Sequence, residues 1–341
     1  MPPVADILST LPNPLLGLIL SKLPIREAVR CSVLSKRWKF LYTQIPQLTL
    51  SPILLVPTTS RDPNPDSVAT VEKIISNLLM LHSADIEAFH LFTYHLQFTR
   101  ESVWQWVTYA ASRNVQHLSL CDSPKEYCNL FIYNPGREIP PALFSCTHLA
   151  TLKLSNYNLK HLPTHFSGFN HLITCSFEGM QLTDEFLSCF ISHSPFLQKL
   201  TLHFCVGLRK SVISAPNLTH LSVDGRWEAL TVNCPKFRTL EMVLPNIGDL
   251  RINGVLFHEL SCLVSKTKMQ CGSNVAVLWL TWGYASVERV LEIVGKALKK
   301  LVINDMWSER QMVVFVDNLL ERLPGLTRVR VRSMFDLVRQ K

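Results

Sequence analysis

The sequence predicts an α/β protein with a short helical unit at its N-terminus and an array of strand-containing repeats after it. Two observations carry this prediction: leucine accounts for 53 of the 341 residues, and glycine occurs only 12 times. So few glycines argue against a glycine-fingerprinted nucleotide enzyme. Leucine in such excess indicates a fold in which one short leucine pattern recurs along the chain.

Residues 6–50 are predicted to form three short helices. Asn13 followed by Pro14 is a helix start, with an N-cap oxygen and then proline at the first helical position. Apolar residues at helical spacing predict a second helix over 25–33 and a third over 35–42. The core of such a unit is too small to stand alone comfortably, so we expect a partner to complete it.

The proline-rich residues 51–69 are expected to be a linker, and residues 70–341 to hold a repeat domain. Nine segments share the pattern L-x-x-L-x-L or a close variant, and most successive copies lie near the ~20–29 residue period of leucine-rich repeats. They are 115–120, 149–154, 172–177, 197–202, 218–223, 237–242, 275–280, 298–303 and 326–331, with a degenerate copy near 256–263. No repeat buries its leucines without its neighbours, so the sequence predicts an irregular leucine-rich-repeat solenoid with a parallel β-sheet on its concave face.

Composition argues against several kinds of partner. The net charge of +8 raises the question of nucleic acid, but no basic block exceeds three residues and no nucleic-acid-binding signature is present. No run approaches the ~18 apolar residues of a membrane span. The ten cysteines include no C-x-x-C pair, which argues against zinc. No basic region precedes the first apolar run, so we expect no secretory signal, and reduced thiols.

Enzymes are the rival class, and their signatures are missing from the sequence. There is no G-x-S-x-G, Walker loop, G-x-G-x-x-G or H-E-x-x-H motif. His161 and His165 are separated by Pro163 and have no nearby carboxylate to complete a ligand set. We therefore expect a non-catalytic chain without a cofactor or metal.

Three stretches of the N-terminal unit carry a family resemblance: Leu11-Pro12, ILSKLP at 19–24 and SVLSKRW at 32–38. Together they resemble the F-box of plant F-box proteins with leucine-rich repeats, including the group that often ends in an FBD region. Phrases such as SAPNLTHLSVDG and NCPKFRTLEM extend the resemblance through much of 70–340. Two departures are Asn13-Pro14 in place of the family's usual acidic pair, and Tyr42 in place of its tryptophan.

The resemblance implies a substrate-recognition subunit of a Skp–cullin–F-box ubiquitin ligase. The F-box would bind the Skp adaptor and through it the cullin, the repeats would bind an unknown target protein, and we expect the cytoplasm, the nucleus or both. The alternatives are that the apolar F-box residues pack against the repeat domain, or that the chain is an interaction scaffold outside a ligase. The residues expected to bind the adaptor are Leu11, Pro12, Leu15, Leu16, Ile19, Leu20, Leu23, Pro24, Val33, Leu34, Trp38 and Leu41.

Residues that alternate with the inward leucines are expected to point outward along the concave face. The resulting candidates for target binding are Lys153, Lys199, His203, His220, Asp224, Glu241, Trp279, Arg328, Arg330 and Arg332. Trp279 is either a solvent-exposed aromatic anchor or a residue buried by a shift in register. The three arginines either protect a sheet edge or receive an acidic or phosphorylated segment of the target.

Overall fold

In a computed structural model of the chain, the structure describes residues 7–51, 65–93, 98–122 and 137–253 together with six further strand segments. Those segments are 255–260, 266–271, 275–281, 300–304, 328–332 and 337–340. The chain divides into two compact units. The first comprises residues 1–159 and 163–172, and the second comprises residues 160–162 and 173–341.

The first unit begins with short helices and one strand. They are α1 (Ile7–Thr10), α2 (Asn13–Leu20), α3 (Ile25–Arg30), two 3₁₀ helices (Cys31–Val33 and Trp38–Gln44) and β1 (Gln47–Leu50). The prediction that Asn13 is the N-cap of α2 is wrong. Asn13 is the first residue of the helix, and Pro12 is the N-cap. The Asn13 side chain accepts a hydrogen bond from Arg37 Nε at 2.8 Å instead. The helix predicted over 35–42 is a 3₁₀ helix that starts at Trp38.

Helices and parallel strands alternate through the rest of the first unit. The elements are α4 (Pro65–Leu81), β2 (Ala88–Phe92), α5 (Arg100–Ala111), β3 (His117–Cys121), β4 (Arg137–Glu138), a 3₁₀ helix (Pro141–Ser145), β5 (Thr151–Ser155) and β6 (Tyr157–Asn158). The strand order is β1-β2-β3-β5, all parallel and in register, while β4 pairs with β6. Thr99 is the N-cap of α5, and its hydroxyl accepts a hydrogen bond from Ser102 N at 3.3 Å.

The core of the first unit lies between these strands and the helices. The alternate strand residues Leu48, Leu50, Phe89, Leu91, Leu118, Leu120, Leu152 and Leu154 are all buried. Helices α4 and α5 are joined by a hydrogen bond from Trp106 Nε1 to Ser76 Oγ at 3.0 Å. Strands β1 and β2 were not among the nine predicted segments, although residues 45–50, IPQLTL, fit a variant of the pattern.

The second unit contains one described helix and eleven strands. They are β7 (Thr174–Glu178), α6 (Asp184–Ser192), β8 (Lys199–His203), β9 (Lys210–Ile213), β10 (His220–Val232), β11 (Thr239–Ile252), β12 (Val255–Leu260), β13 (Lys266–Cys271), β14 (Val275–Thr281), β15 (Lys300–Asn304), β16 (Arg328–Arg332) and β17 (Leu337–Gln340). The order is β7-β8-β10-β11-β13-β14-β15-β16-β17, with β9 beside β10 and β12 beside β11. All nine predicted segments contain an observed strand.

The second unit departs from a purely parallel sheet at three strands. Strand β12 is antiparallel to β11, β13 is antiparallel to both β11 and β14, and β17 is antiparallel to β16. The predicted degenerate repeat near 256–263 is therefore wrong. Its strand pairs back onto β11 as a hairpin, in which Ile252 lies opposite Val255 and Asn253 has a φ of 47°. Asn253 and Gly254 form the sequence pair that favours such a tight reversal.

Candidate binding surfaces

Helix α2 has apolar side chains on both its buried and its exposed faces. Leu16 and Leu20, four residues apart, are buried in the first unit, and Leu16 has no exposed surface. Leu15 and Ile19, also four residues apart, lie on an exposed face. A surface helix normally carries polar residues on its solvent side, so the exposed face of α2 is suited to a partner.

The predicted adaptor-binding residues fall into three groups by exposure. Pro12, Leu15, Ile19, Leu23, Pro24, Val33 and Leu34 are exposed, Leu11 is half-buried, and Leu16, Leu20, Trp38 and Leu41 are buried. Val33 is 84% exposed and Leu34 is 64% exposed. Apart from the four buried side chains, these apolar residues do not pack against the repeats. Their exposure contradicts the alternative in which they do. Sequence reasoning missed three further exposed apolar residues of the N-terminal unit, Leu8, Leu18 and Phe40.

Arg37 links the two ends of the N-terminal unit. Its guanidinium donates one hydrogen bond to the Leu11 carbonyl oxygen and another, of 2.8 Å, to Asn13 Oδ1. The arginine lies next to Trp38, which is 8% exposed and packs in the core. The start of α2 is thereby held to the segment that carries the exposed residues Val33 and Leu34.

The N-terminal unit is also tied to the sheet that follows it. Strand β1 pairs in parallel with β2, and Ser83 N donates to the Thr43 carbonyl oxygen at 3.0 Å. The buried His82 ring donates from Nε2 to the Ile45 carbonyl oxygen at 2.9 Å. Burial lowers the pKa of His82, the hydrogen bond to Ile45 opposes this shift, and the nearby Arg113 adds to it.

On the outward face of the first unit, Lys153 is exposed as predicted. His90 lies on β2 and His117 on β3, and both are half-buried. The pKa of His90 is lowered, first by burial and then by the neighbouring His117 and Lys153. His117 follows the predicted outward alternation, whereas His90 lies on a strand that was not among the nine predicted segments.

On the second unit, the predicted face carries both signs of charge. Lys199 and His220 are exposed. Nδ1 of His220 lies 2.7 Å from the hydroxyl oxygen of Thr219. His203 is half-buried, with Nε2 2.8 Å from Ser222 Oγ. Glu241 is half-buried. The structure thus brings three strands together, β8, β10 and β11, each with a predicted residue.

Asp224 does not have the predicted exposure. It is 3% exposed, and its Oδ1 accepts a hydrogen bond from the backbone N–H of Phe204. Burial raises the pKa of Asp224, and the hydrogen bond from Phe204 partly opposes that shift. The carboxylate therefore holds the turn after β8, where Phe204 has a φ of 53° and an exposed ring. The reason for the error is that this turn lies against Asp224, within β10.

The remaining predicted residues lie on strands whose side chains are outside the described part of the chain. Trp279 pairs in the backbone register with Lys268 of β13 and Val302 of β15. Arg328, Arg330 and Arg332 lie on β16, between β15 and β17. The interpretation that they protect a sheet edge is wrong, because β17 covers that side of β16.

The described residues include no group of three or more His, Cys, Asp or Glu side chains placed to hold a metal ion. Among the helices that the structure describes, none is both long and apolar enough to cross a membrane. Burial raises the pKa of the Cys146 thiol to about 12, and the pKa values of Cys175 and Cys234 are raised for the same reason. Such thiols behave as core hydrophobes.

Comparison with known proteins finds a family model for the N-terminal unit and another for part of the repeats. Residues 8–41 match the family model of the F-box domain, and residues 103–233 match the model of the leucine-rich repeats of FBD-associated F-box protein At5g56370. The matches show an F-box domain and a segment of FBD-associated leucine-rich repeats in this chain. In this domain combination the chain is similar to plant proteins named F-box/FBD/LRR-repeat proteins.

Three of the similar proteins are from Arabidopsis thaliana. F-box/FBD/LRR-repeat protein At1g13570 is 29% identical over 232 residues, which are 68% of this chain and 52% of the relative. F-box/FBD/LRR-repeat protein At5g56420 is 30% identical, over 70% of this chain and 55% of the relative. F-box/LRR-repeat protein 25 is 28% identical, over 74% of this chain and 88% of the relative. The chain thus spans about half the length of the first two relatives.

Proposed function

We propose that this protein is the substrate-recognition subunit of a Skp–cullin–F-box ubiquitin ligase. In this proposal the F-box binds the Skp adaptor, and through it the cullin, while the repeats form an irregular solenoid that binds a target protein. The observation that carries the proposal is the exposed apolar surface of the F-box. It consists of Leu15, Leu18, Ile19, Leu23, Val33, Leu34 and Phe40.

The physical argument is the cost of leaving this surface in water. Each large aliphatic side chain contributes about 1.5–3 kcal/mol when it moves from water into an apolar environment. Several such side chains within about 30 residues of sequence exceed what scattered surface hydrophobes require. An adaptor that covers them recovers that free energy, and the buried Leu16, Leu20, Trp38 and Leu41 support the covered helices from behind.

The proposal gives the chain a binding role without catalysis, and places it in the cytoplasm, the nucleus or both. Ubiquitin transfer would be carried out by other subunits of the ligase. The outward strand positions of the repeats supply the target-binding side chains, because they stand on a hydrogen-bonded sheet that holds them in fixed register. A scaffold outside a ligase would use the same face but would have no need for the apolar F-box surface.

The proposal is tested by co-purifying the chain with a plant Skp adaptor. The variant Leu15→Asp/Ile19→Asp places two charges on the exposed face of α2 and should abolish co-purification. Leu81→Asp, at an exposed leucine of α4, is the matched control and should leave it intact. Retention of the adaptor by the double variant at the level of the control would refute the adaptor-binding role.

A second measurement separates a ligase subunit from a scaffold. The half-life of proteins that co-purify with the chain is followed in plant cells after knockdown of the chain. A ligase subunit lengthens the half-life of its target when it is depleted, and the lengthening is absent when the cells are complemented with Leu15→Asp/Ile19→Asp. An unchanged half-life would favour the scaffold.

A further inference from the structure

Positive charge is concentrated in the N-terminal unit. Residues 7–51 contain six lysines and arginines and one carboxylate, Glu27, which gives them a net charge of +5. The 290 residues that follow, 52–341, have a net charge of only +4. The single carboxylate is already engaged, since Glu27 Oε1 lies 2.9 Å from Arg30 Nη1. The excess of positive charge therefore lies in the same short segment as the exposed apolar surface of the F-box.

Three exposed lysines lie beside residues of that apolar surface. We call them the basic border: Lys22, Lys36 and Lys39. The first directly precedes Leu23, and the second follows Leu34 by two residues. The third has its Nζ atom 5.4 Å from the centroid of the Phe40 ring, which is 59% exposed. Apolar and basic groups thus alternate over one exposed part of the N-terminal unit.

The fold of the N-terminal unit accounts for one of these lysines at most. Lys22 follows the C-terminal end of α2, where the helix dipole favours a cation. Lys36 lies in the turn between the two 3₁₀ helices, and Lys39 lies within the second of them. Among the residues that the structure describes, no carboxylate forms an ion pair with any of the three. Their charge is therefore available to a partner.

Charges at the border of an apolar interface act mainly on the encounter between two proteins. Hydrophobic burial stabilises a complex only once the surfaces touch, because it depends on the area removed from water. Complementary charge acts at a distance and raises association rates by about 10–10³-fold. Mutation of a charge at the rim typically changes the association rate and its dependence on salt. The basic border thus supplies a long-range attraction that the apolar side chains lack.

We propose that the basic border steers an adaptor onto the exposed apolar surface of the F-box, and that the matching adaptor surface is an apolar groove bordered by Asp and Glu carboxylates. Charge then sets the rate of association, and the apolar side chains set the lifetime of the complex. The proposal rests on the proposed function, because it names the chemistry of the adaptor surface and the way in which the two proteins meet.

The test measures the association rate constant kon and the dissociation rate constant koff of the full chain with a plant Skp adaptor by stopped flow. Ionic strengths of about 0.01 M and about 0.15 M are compared, where the Debye length is about 30 Å and about 8 Å. For the unmodified chain we expect kon to fall at least about tenfold at the higher ionic strength, while koff changes less than about twofold. The variant Lys22→Gln/Lys36→Gln/Lys39→Gln should lower kon about tenfold at the lower ionic strength and leave koff within about twofold.

Two matched variants separate the position of the charge from its amount and from its chemical identity. The first removes the same number of charges from exposed lysines elsewhere and should keep kon within about twofold. It is Lys73→Gln/Lys160→Gln/Lys236→Gln. The second, Lys22→Arg/Lys36→Arg/Lys39→Arg, keeps the charge and should retain the kon of the unmodified chain and its dependence on salt. Urea unfolding of each variant checks that the fold is unchanged.

The rates distinguish failure of this proposal from failure of the proposed function. A kon that does not depend on ionic strength, or an equal kon for the two glutamine variants, would overturn the basic border and leave the adaptor-binding role intact. Greater self-association of the border variant in size-exclusion chromatography, with kon unchanged, would also overturn it and assign the lysines to solubility. Absence of any adaptor binding by the unmodified chain would overturn both proposals.

Discussion

The double variant Val33→Ala/Leu34→Ala tests the adaptor surface quantitatively, since these two residues are 84% and 64% exposed. The substitutions remove two carbon atoms from the valine and three from the leucine. At ~0.8 kcal/mol for each buried carbon, weighted by the exposed fraction, their contribution to adaptor binding reaches about 3 kcal/mol. Association costs reduce that figure, so we expect the Kd to rise between roughly tenfold and a hundredfold.

The assay is titration calorimetry of the purified chain with a Skp adaptor, accompanied by urea unfolding of each variant. Because both side chains are mostly in water, the double variant should change the free energy of unfolding by less than about 0.5 kcal/mol. Val212→Ala, at a half-exposed valine of β9, is the control for general surface truncation. A Kd equal to that of the control, with stability unchanged, would show that the adaptor does not cover these residues.

Three further substitutions or conditions act on the folded state itself. Leu16→Ala should lower the free energy of unfolding by about 2–5 kcal/mol in a urea titration, because Leu16 has no exposed surface; a loss below 1 kcal/mol would contradict the core described for α2. Gly207→Ala should cost at least about 1–3 kcal/mol, since Gly207 has a φ of 96° and an added Cβ meets the Leu182 carbonyl oxygen. The lowered pKa of His82 means that the unfolded chain binds the proton more readily, so stability should be complete above the unfolded pKa of about 6.5 and fall as the pH drops below it. His82→Gln should flatten the dependence of melting temperature on pH between 7.5 and 5.5, and an unchanged slope would assign the effect to other groups.

The strands were predictable because one local pattern decides them. A leucine at every second position with one face buried gives the same strand in each copy, and all nine predicted segments contain one. The pattern fails where its inputs change: β2 begins with Ala88 and Phe89 in place of leucine, so its sequence did not match. Strand β12 runs antiparallel to β11, and a search for repeats does not predict strand direction.

Exposure was harder to predict than secondary structure, because it depends on what the chain folds over each residue. Asp224 follows the outward alternation, yet the turn at Phe204 covers it and takes its carboxylate as a hydrogen-bond acceptor. In α2, periodicity alone separates two apolar faces but does not say which one is buried. The contact of Asn13 with Arg37 joins residues 24 positions apart, so no local signal announces it.

The pairing of β1 with β2 has a practical consequence for experiments that cut the protein into parts. Strand β1 is the last element of the N-terminal unit and the first strand of the sheet, where it satisfies the backbone of β2 from Ala88 to Leu91. A repeat fragment that starts after residue 51 would leave that row of backbone donors and acceptors open, and open strand edges template self-association. Aggregation of such a fragment would therefore indicate that β2 has lost its neighbouring strand, and not that the fragment has lost its adaptor. Point substitutions on α2 are the cleaner way to separate adaptor binding from target binding.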